Sequence, residues 1–138
     1  MARPRNQEAN LIAVLNMHEP DSIECITVSF KFDIQIEKRI KALIVQGLYS
    51  NKAECIRNAV IIYMLYIHTT QTKPLYDGHT DYGTKPLIRV SIKNPIGFMK
   101  EIDTYIKKHG FKDRSKFFRA ALTHFFEDID EYESQTQY

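Results

Sequence analysis

Cysteine and long apolar runs are both scarce in this chain of 138 residues, and each scarcity excludes a class of protein. The two cysteines, Cys25 and Cys55, form no CxxC pair and no Cys/His array with zinc-finger spacing. We therefore expect no metal site, and two isolated cysteines without a recognisable signal peptide favour a reducing, cytoplasmic location. The longest apolar run, 59–67, is much shorter than the roughly 20 residues of a membrane span, so we expect a buried helix and no membrane partner.

Recognisable catalytic motifs are also missing from the sequence. There is no nucleophile–base pair, metal cluster or glycine-rich phosphate loop, and the histidines share no metal-ligand spacing. The acidic C-terminal segment contains paired carboxylates, but a fraying terminus would not hold them in catalytic geometry. We therefore predict that the protein is not an enzyme and uses no cofactor.

Positive charge is unevenly spread along the chain, although the formal total is only +2. Residues 24–68 carry six Lys/Arg against four Asp/Glu, and residues 87–126 carry nine against three. Residues 127–138 carry five acids and no base, which masks the excess in the total. A basic surface is a reason to consider a nucleic-acid partner, and it is a weak indication by itself.

The chain contains an internal repeat, because its two halves align without a gap when one is shifted by 62 residues. Residues 26–31, ITVSFK, fall on residues 88–93, IRVSIK, and Asn51-Lys52 falls on Asp113-Arg114. About one residue in four is identical over some 40 positions, and apolar positions meet apolar positions almost throughout. We infer two copies of one structural unit.

Each copy has the pattern of a strand followed by two helices. Apolar and polar residues alternate over 26–31 and 88–93, as in a strand with one solvated face. Apolar residues then recur at helical spacing, and Gly47 and Gly110 stand where the first helix of each copy should end. Asn51 and Asp113 are suitable N-caps for the second helices.

This pattern divides the chain into five parts. An N-terminal extension, 1–23, contains a candidate short helix near 8–17 and precedes the first unit, 24–68. A linker without clear periodicity, 69–86, leads to the second unit, 87–128. The acidic tail, 129–138, is expected to fray in solvent.

The two strands are expected to pair with each other, because one strand alone cannot satisfy its own backbone groups. An antiparallel ribbon with Ser29 opposite Ser91 gives an all-apolar inner face that packs on four helices. The predicted fold class is therefore mainly α with a two-stranded antiparallel β-ribbon. The outer face of the ribbon then carries six polar or basic side chains: Thr27, Ser29, Lys31, Arg89, Ser91 and Lys93.

This outer face points to an anionic partner. Lys31 lies opposite Arg89 in the expected register, and like charges directly opposite each other destabilise a ribbon. A two-stranded ribbon fits the DNA major groove, where polar and cationic side chains can read base edges. Helix N-termini bind phosphate, and Lys52 and Arg114 add charge at the start of the second helices.

The alternating strand, the helix that ends near Gly47 or Gly110, and residues 51–57 and 113–119 resemble the ribbon-helix-helix superfamily of DNA-binding repressors, the MetJ/Arc/CopG class. Its members are usually homodimers, whereas this chain resembles a tandem form with two fused units, as in an archaeal viral regulator. The resemblance implies a tandem ribbon-helix-helix pseudo-dimer within one chain, with base contacts from the six outer-face residues. It also implies phosphate contacts from both helix starts: Asn51, Lys52, Ala53, Asp113, Arg114 and Ser115.

We therefore expect a transcriptional regulator that binds double-stranded DNA sequence-specifically in the cytoplasm, that of a host if the source is viral. Because the two strands differ, the target should be asymmetric, and self-association into higher oligomers on DNA stays open. Two alternatives also stay open: an antitoxin-like protein-interaction module and an architectural DNA-binding protein. Arg57 and Arg119 are expected to support the structure, Arg57 by pairing with Glu54.

Overall fold

The computed structural model describes residues 24–70 and 86–135, which form two strands and four helices. In chain order the elements are β1 (Cys25–Asp33), α1 (Ile34–Val45), α2 (Lys52–Thr70), β2 (Leu87–Pro95), α3 (Ile96–His109) and α4 (Arg114–Gln135). The mainly helical class with a small ribbon is therefore confirmed. The candidate helix near 8–17 and most of the expected linker lie outside the described residues.

The two strands pair antiparallel in the expected register, with Ser29 opposite Ser91. Thr27 lies opposite Lys93. In every pair, the two residue numbers add up to 120. Each strand has nine residues, which is longer than the six that alternation alone predicted. Burial follows the same alternation: from Thr27 to Phe32, exposed and buried side chains follow one another along the strand.

Backbone hydrogen bonds show which pairs in the ribbon approach each other most closely. Ile34 N donates to Pro86 O and Ile96 N donates to Glu24 O, each at 3.1 Å, and these even-numbered pairs flank the ribbon. Hydrogen-bonded and non-hydrogen-bonded pairs alternate along an antiparallel ladder. The odd-numbered pairs, which include 27–93, 29–91 and 31–89, are therefore the non-hydrogen-bonded ones. Their Cα atoms lie closer, at about 4.5 Å, and their N–H and C=O groups point to the outer edges of the ribbon.

The inner face of the ribbon is buried on the helices. Five of its apolar side chains are at most 6% exposed: Val28, Phe30, Phe32, Val90 and Ile92. Asn94 also faces inward and is fully buried, and its Nδ2 donates to Met99 Sδ at 3.4 Å. The expectation of an all-apolar inner face is therefore corrected at this position, because β2 continues two residues beyond Lys93.

The two halves of the chain share one core. The Phe30 ring on β1 stacks on the Phe118 ring on α4, with centroids 4.7 Å apart. Two further ring contacts between the halves are related to each other by the 62-residue shift: Tyr49 with Phe125 at 6.4 Å, and Phe111 with Tyr63 at 6.3 Å. The aromatic part of the core is therefore shared between the two halves.

Two glycines close the first helix of each half, as predicted. Gly47 has φ 83° and Gly110 has φ 75°, a left-handed conformation that other residues rarely adopt. Leu48 N donates to Leu43 O after the first glycine, and Phe111 N donates to Ile106 O after the second. The two helix ends therefore have the same Schellman-type closure.

The acidic end of the chain is ordered helix as far as Gln135, which corrects the expectation that it frays from residue 129. Arg39 on α1 donates to both carboxylate oxygens of Asp130, at 3.1 and 2.6 Å, and its guanidinium lies 4.5 Å from the centre of the Phe126 ring. The hydrogen bonds from Arg39 lower the pKa of Asp130 below its usual value. A contact from another helix thus holds this segment.

The two cysteines are expected to differ strongly in reactivity. Neither is in a disulfide; Cys55 is fully buried, and burial raises the pKa of its thiol to about 11, whereas Cys25 is partly exposed. In the folded protein at neutral pH, a thiol reagent should modify Cys25 quickly and Cys55 only as fast as the protein unfolds. Mass spectrometry of tryptic peptides measures both rates, with urea-unfolded protein as the control. Equal rates in the folded protein would contradict the packing of α2.

Candidate nucleic-acid interface

The six residues predicted to read bases lie together on the outer face of the ribbon, and all six side chains are exposed. At the centre, the hydroxyl oxygens of Ser29 and Ser91 are 2.6 Å apart in a hydrogen bond across the strands. The close spacing of a non-hydrogen-bonded pair permits this short contact. One hydroxyl donates within the pair, so the other keeps its hydrogen for an external acceptor, and both oxygens keep acceptor capacity.

Charge on this face is of one sign. Lys31 lies directly opposite Arg89, and Lys93 lies opposite Thr27. The acid within the strands, Asp33, stands at the end of β1 and caps α1, where its Oδ1 accepts from Gln35 N at 2.8 Å. Among the exposed residues of β1 and β2 there is no acid, so nothing on these strands neutralises the three cations. An anionic partner would relieve the repulsion between Lys31 and Arg89.

Two arginines hold the ribbon from its edges. Arg57 Nη1 donates to Lys93 O at 2.7 Å, and Arg119 Nη1 donates to Lys31 O at 3.3 Å. The structural role expected for these arginines is confirmed, but the described hydrogen bond of Arg57 goes to the ribbon and not to Glu54. Burial lowers the pKa of the Arg57 guanidinium. The identical arginine in both copies was the sequence signal, but its partner across the ribbon was not predictable.

The starts of α2 and α4 have the caps that the sequence predicted. Glu54 N donates to Asn51 Oδ1 at 2.8 Å, and Lys116 N donates to Asp113 Oδ1 at 2.9 Å. The first N–H groups of an α-helix have no partner within the helix. Each cap accepts a hydrogen bond from the N–H group of the third helical residue. The N–H groups of the first two residues are then available to an external acceptor: Lys52 and Ala53 on α2, and Arg114 and Ser115 on α4.

The basic side chains at these two starts are committed to ion pairs, which sequence reasoning missed. Lys52 Nζ lies 2.5 Å from Oε1 of Glu37 on α1, whose side chain is only 3% exposed. Arg114 donates to both carboxylate oxygens of Asp103 on α3, at 2.9 and 2.8 Å, and about half of each side chain is exposed. The Lys52 pair is therefore an internal contact, whereas the Arg114 pair is open to exchange with another anion.

Comparisons of the chain with protein-family models, with curated proteins and with solved structures find no match in any of the three. Across residues 24–70 and 86–135, no three His, Cys, Asp or Glu side chains are grouped so that they could hold a metal ion. In the same part of the chain, no helix is both long and apolar enough to cross a bilayer. A function is therefore inferred from the ribbon and the helix starts.

Proposed function

We propose that this chain is a sequence-specific regulator that binds double-stranded DNA by inserting its ribbon into the major groove. We also propose that it has the tandem ribbon-helix-helix architecture, in which two strand–helix–helix copies in one chain supply the two strands. The observation that carries the proposal is the exposed outer face, which has cations on both sides of a central Ser29–Ser91 pair and no acid. A two-stranded ribbon has the width that the major groove, about 12 Å, admits.

The outer-face side chains have the chemistry that reads base edges. Arginine and lysine donate to the O6 and N7 acceptors of guanine, and serine and threonine can donate to or accept from several bases. Lys31 and Arg89 therefore favour guanine near one end of the ribbon, and Lys93 favours it near the other. Ser29 and Ser91 would meet the central base pairs.

Phosphate contacts are proposed for the two helix starts and follow from the backbone. The first N–H groups of an α-helix point along its axis and have no partner within the helix, and the helix dipole adds partial positive charge there: Lys52 and Ala53 on α2, Arg114 and Ser115 on α4. Arg114 can add its own charge because its pair with Asp103 is exposed. Lys52 contributes less, because its ammonium group is held by the buried Glu37. Because such contacts release counterions, binding should weaken steeply with salt.

The proposal is tested by selection from random-sequence duplex DNA at two salt concentrations. Wild type is expected to enrich a defined motif, and the Lys31→Ala/Arg89→Ala/Lys93→Ala variant to lose it, because the three ribbon cations are gone. The variant should keep weak, salt-dependent binding without a motif, because the phosphate contacts at the helix starts remain.

The matched control removes three exposed lysines from α1 and α3, Lys38→Ala/Lys41→Ala/Lys100→Ala, with the same loss of charge. This control should keep the wild-type motif. A folded ribbon variant that selects the wild-type motif would overturn ribbon reading, and tight binding without any motif would favour an architectural role. The anchored helical end of α4 gives no support to partner binding through a flexible tail.

A further inference from the structure

We infer that the DNA site is nearly palindromic and that its asymmetry originates at one position of the ribbon, where Thr27 in one half corresponds to Arg89 in the other. This inference rests on the proposed function and deepens it by naming the residues that determine specificity.

The register of the ribbon shows which outward positions of the two strands are equivalent. The 62-residue shift takes Ser29 to Ser91, Lys31 to Lys93 and Thr27 to Arg89. Because paired residues add up to 120, the same shift takes the pair 31–89 onto the pair 93–27. Of the three outward positions on each strand, two therefore have the same residue in both halves. The third holds threonine in one half and arginine in the other.

The backbone of the two half-ribbons is held by equivalent contacts. The carbonyl groups of Lys31 and Lys93 each accept a hydrogen bond from an arginine of the other half, at 3.3 and 2.7 Å. Beyond each end of the ribbon, a backbone hydrogen bond of 3.1 Å continues the ladder, from Ile34 N and from Ile96 N. The central serines hydrogen-bond to each other. A difference in what the two halves read must therefore come from the side chains at Thr27 and Arg89.

These two side chains prefer different base pairs. Arginine has a planar fork of donors that meets guanine O6 and N7 with two hydrogen bonds. Threonine is shorter, is neutral, and offers one hydroxyl and a methyl group that packs against the methyl of thymine. The half-site beneath Arg89 should thus require a guanine at a position where the half-site beneath Thr27 does not. A good bidentate contact corresponds to a preference of roughly 5- to 150-fold for the matched base.

The test compares the motifs that wild type and three variants select from random-sequence duplex DNA. Thr27→Arg should select a palindrome made of two Arg89-type half-sites and bind it roughly 5- to 150-fold better than the wild-type site. Arg89→Thr should select the palindrome made of two Thr27-type half-sites. The double variant Thr27→Arg/Arg89→Thr has the composition and net charge of wild type. It should again select the wild-type motif, because a reversed ribbon reads the same duplex from its other side.

Circular dichroism before selection checks that each variant is folded, which is expected because both positions are exposed. If Thr27→Arg keeps the asymmetric wild-type motif, or if the double variant selects a different one, the inference is overturned while the proposed function stands. The same holds if wild type itself selects a perfect palindrome. If wild type selects no motif, the proposed function fails and the inference fails with it.

Discussion

Replacing Lys52 with methionine is expected to lower the free energy of unfolding by about 3–5 kcal/mol, because the Glu37 carboxylate then stays buried without its cation. The Glu37 side chain is 3% exposed, and its second oxygen, Oε2, accepts no hydrogen bond from the described residues. Single domains are stable by about 5–15 kcal/mol, so this loss is a large share of the total. Urea unfolding followed by circular dichroism measures it.

Two variants make the result specific to the buried charge. In Lys52→Met/Glu37→Met the pair is replaced by apolar side chains, which is often neutral or stabilising, so most of the lost stability should return. The residue equivalent to Glu37 in the second half is the buried Met99, so this site already holds methionine once in the chain. Arg114→Met breaks the exposed pair with Asp103 and should cost no more than about 1 kcal/mol. A Lys52→Met variant as stable as Arg114→Met would contradict the buried pair.

Replacing Phe118 with alanine is expected to destabilise the protein by about 3–5 kcal/mol, because it empties a fully buried site and removes the ring that stacks on Phe30. The contact joins the strand of the first half to the last helix of the second half. The whole protein should therefore unfold in one transition at a lower denaturant concentration than wild type, and neither half should stay folded. Circular dichroism and the thiol reactivity of Cys55 should report the same midpoint.

Tyr132→Ala serves as the control, because this side chain is 68% exposed and its loss should change stability by less than about 0.5 kcal/mol. The midpoint should not depend on protein concentration, since β1 and β2 pair within one chain. Two separate transitions in Phe118→Ala would show that the halves fold independently. Ultracentrifugation that finds only dimers, whose dissociation accompanies unfolding, would show that the strands pair between chains.

The ribbon could be predicted from the sequence because two independent periodicities agree on it. Alternation decides which side chains face inward, and the 62-residue shift places Ser29 opposite Ser91, so the register follows from both together. The caps at Asn51 and Asp113 and the glycines at the helix ends were predictable for a related reason. Each cap and each glycine closure involves hydrogen bonds between residues only a few positions apart in the sequence.

The ion pairs could not be predicted, because they join side chains whose proximity is decided by how the helices pack. A basic residue at a helix start suggested a phosphate contact, but nothing local to Lys52 indicates that Glu37 of the preceding helix is buried beside it. The expectation that the acidic end of α4 frays was wrong for the same reason. Acidic residues near a helix C-terminus are unfavourable for the helix dipole, and the contact from Arg39 that offsets this lies 91 residues away in the sequence.

Arg57 and Arg119, which hydrogen-bond to the two edges of the ribbon, also bear on self-association of the protein through those edges. A two-stranded ribbon has two open edges, and its outward N–H and C=O groups are a template for a strand from another molecule. Arg57 and Arg119 each occupy one of these outward carbonyl groups, at Lys93 and at Lys31. An incoming strand would have to displace a guanidinium group and lie beside Lys31 on β1, or beside Arg89 and Lys93 on β2. We therefore expect these arginines to disfavour growth of the ribbon by strand addition, while the face between its edges stays exposed.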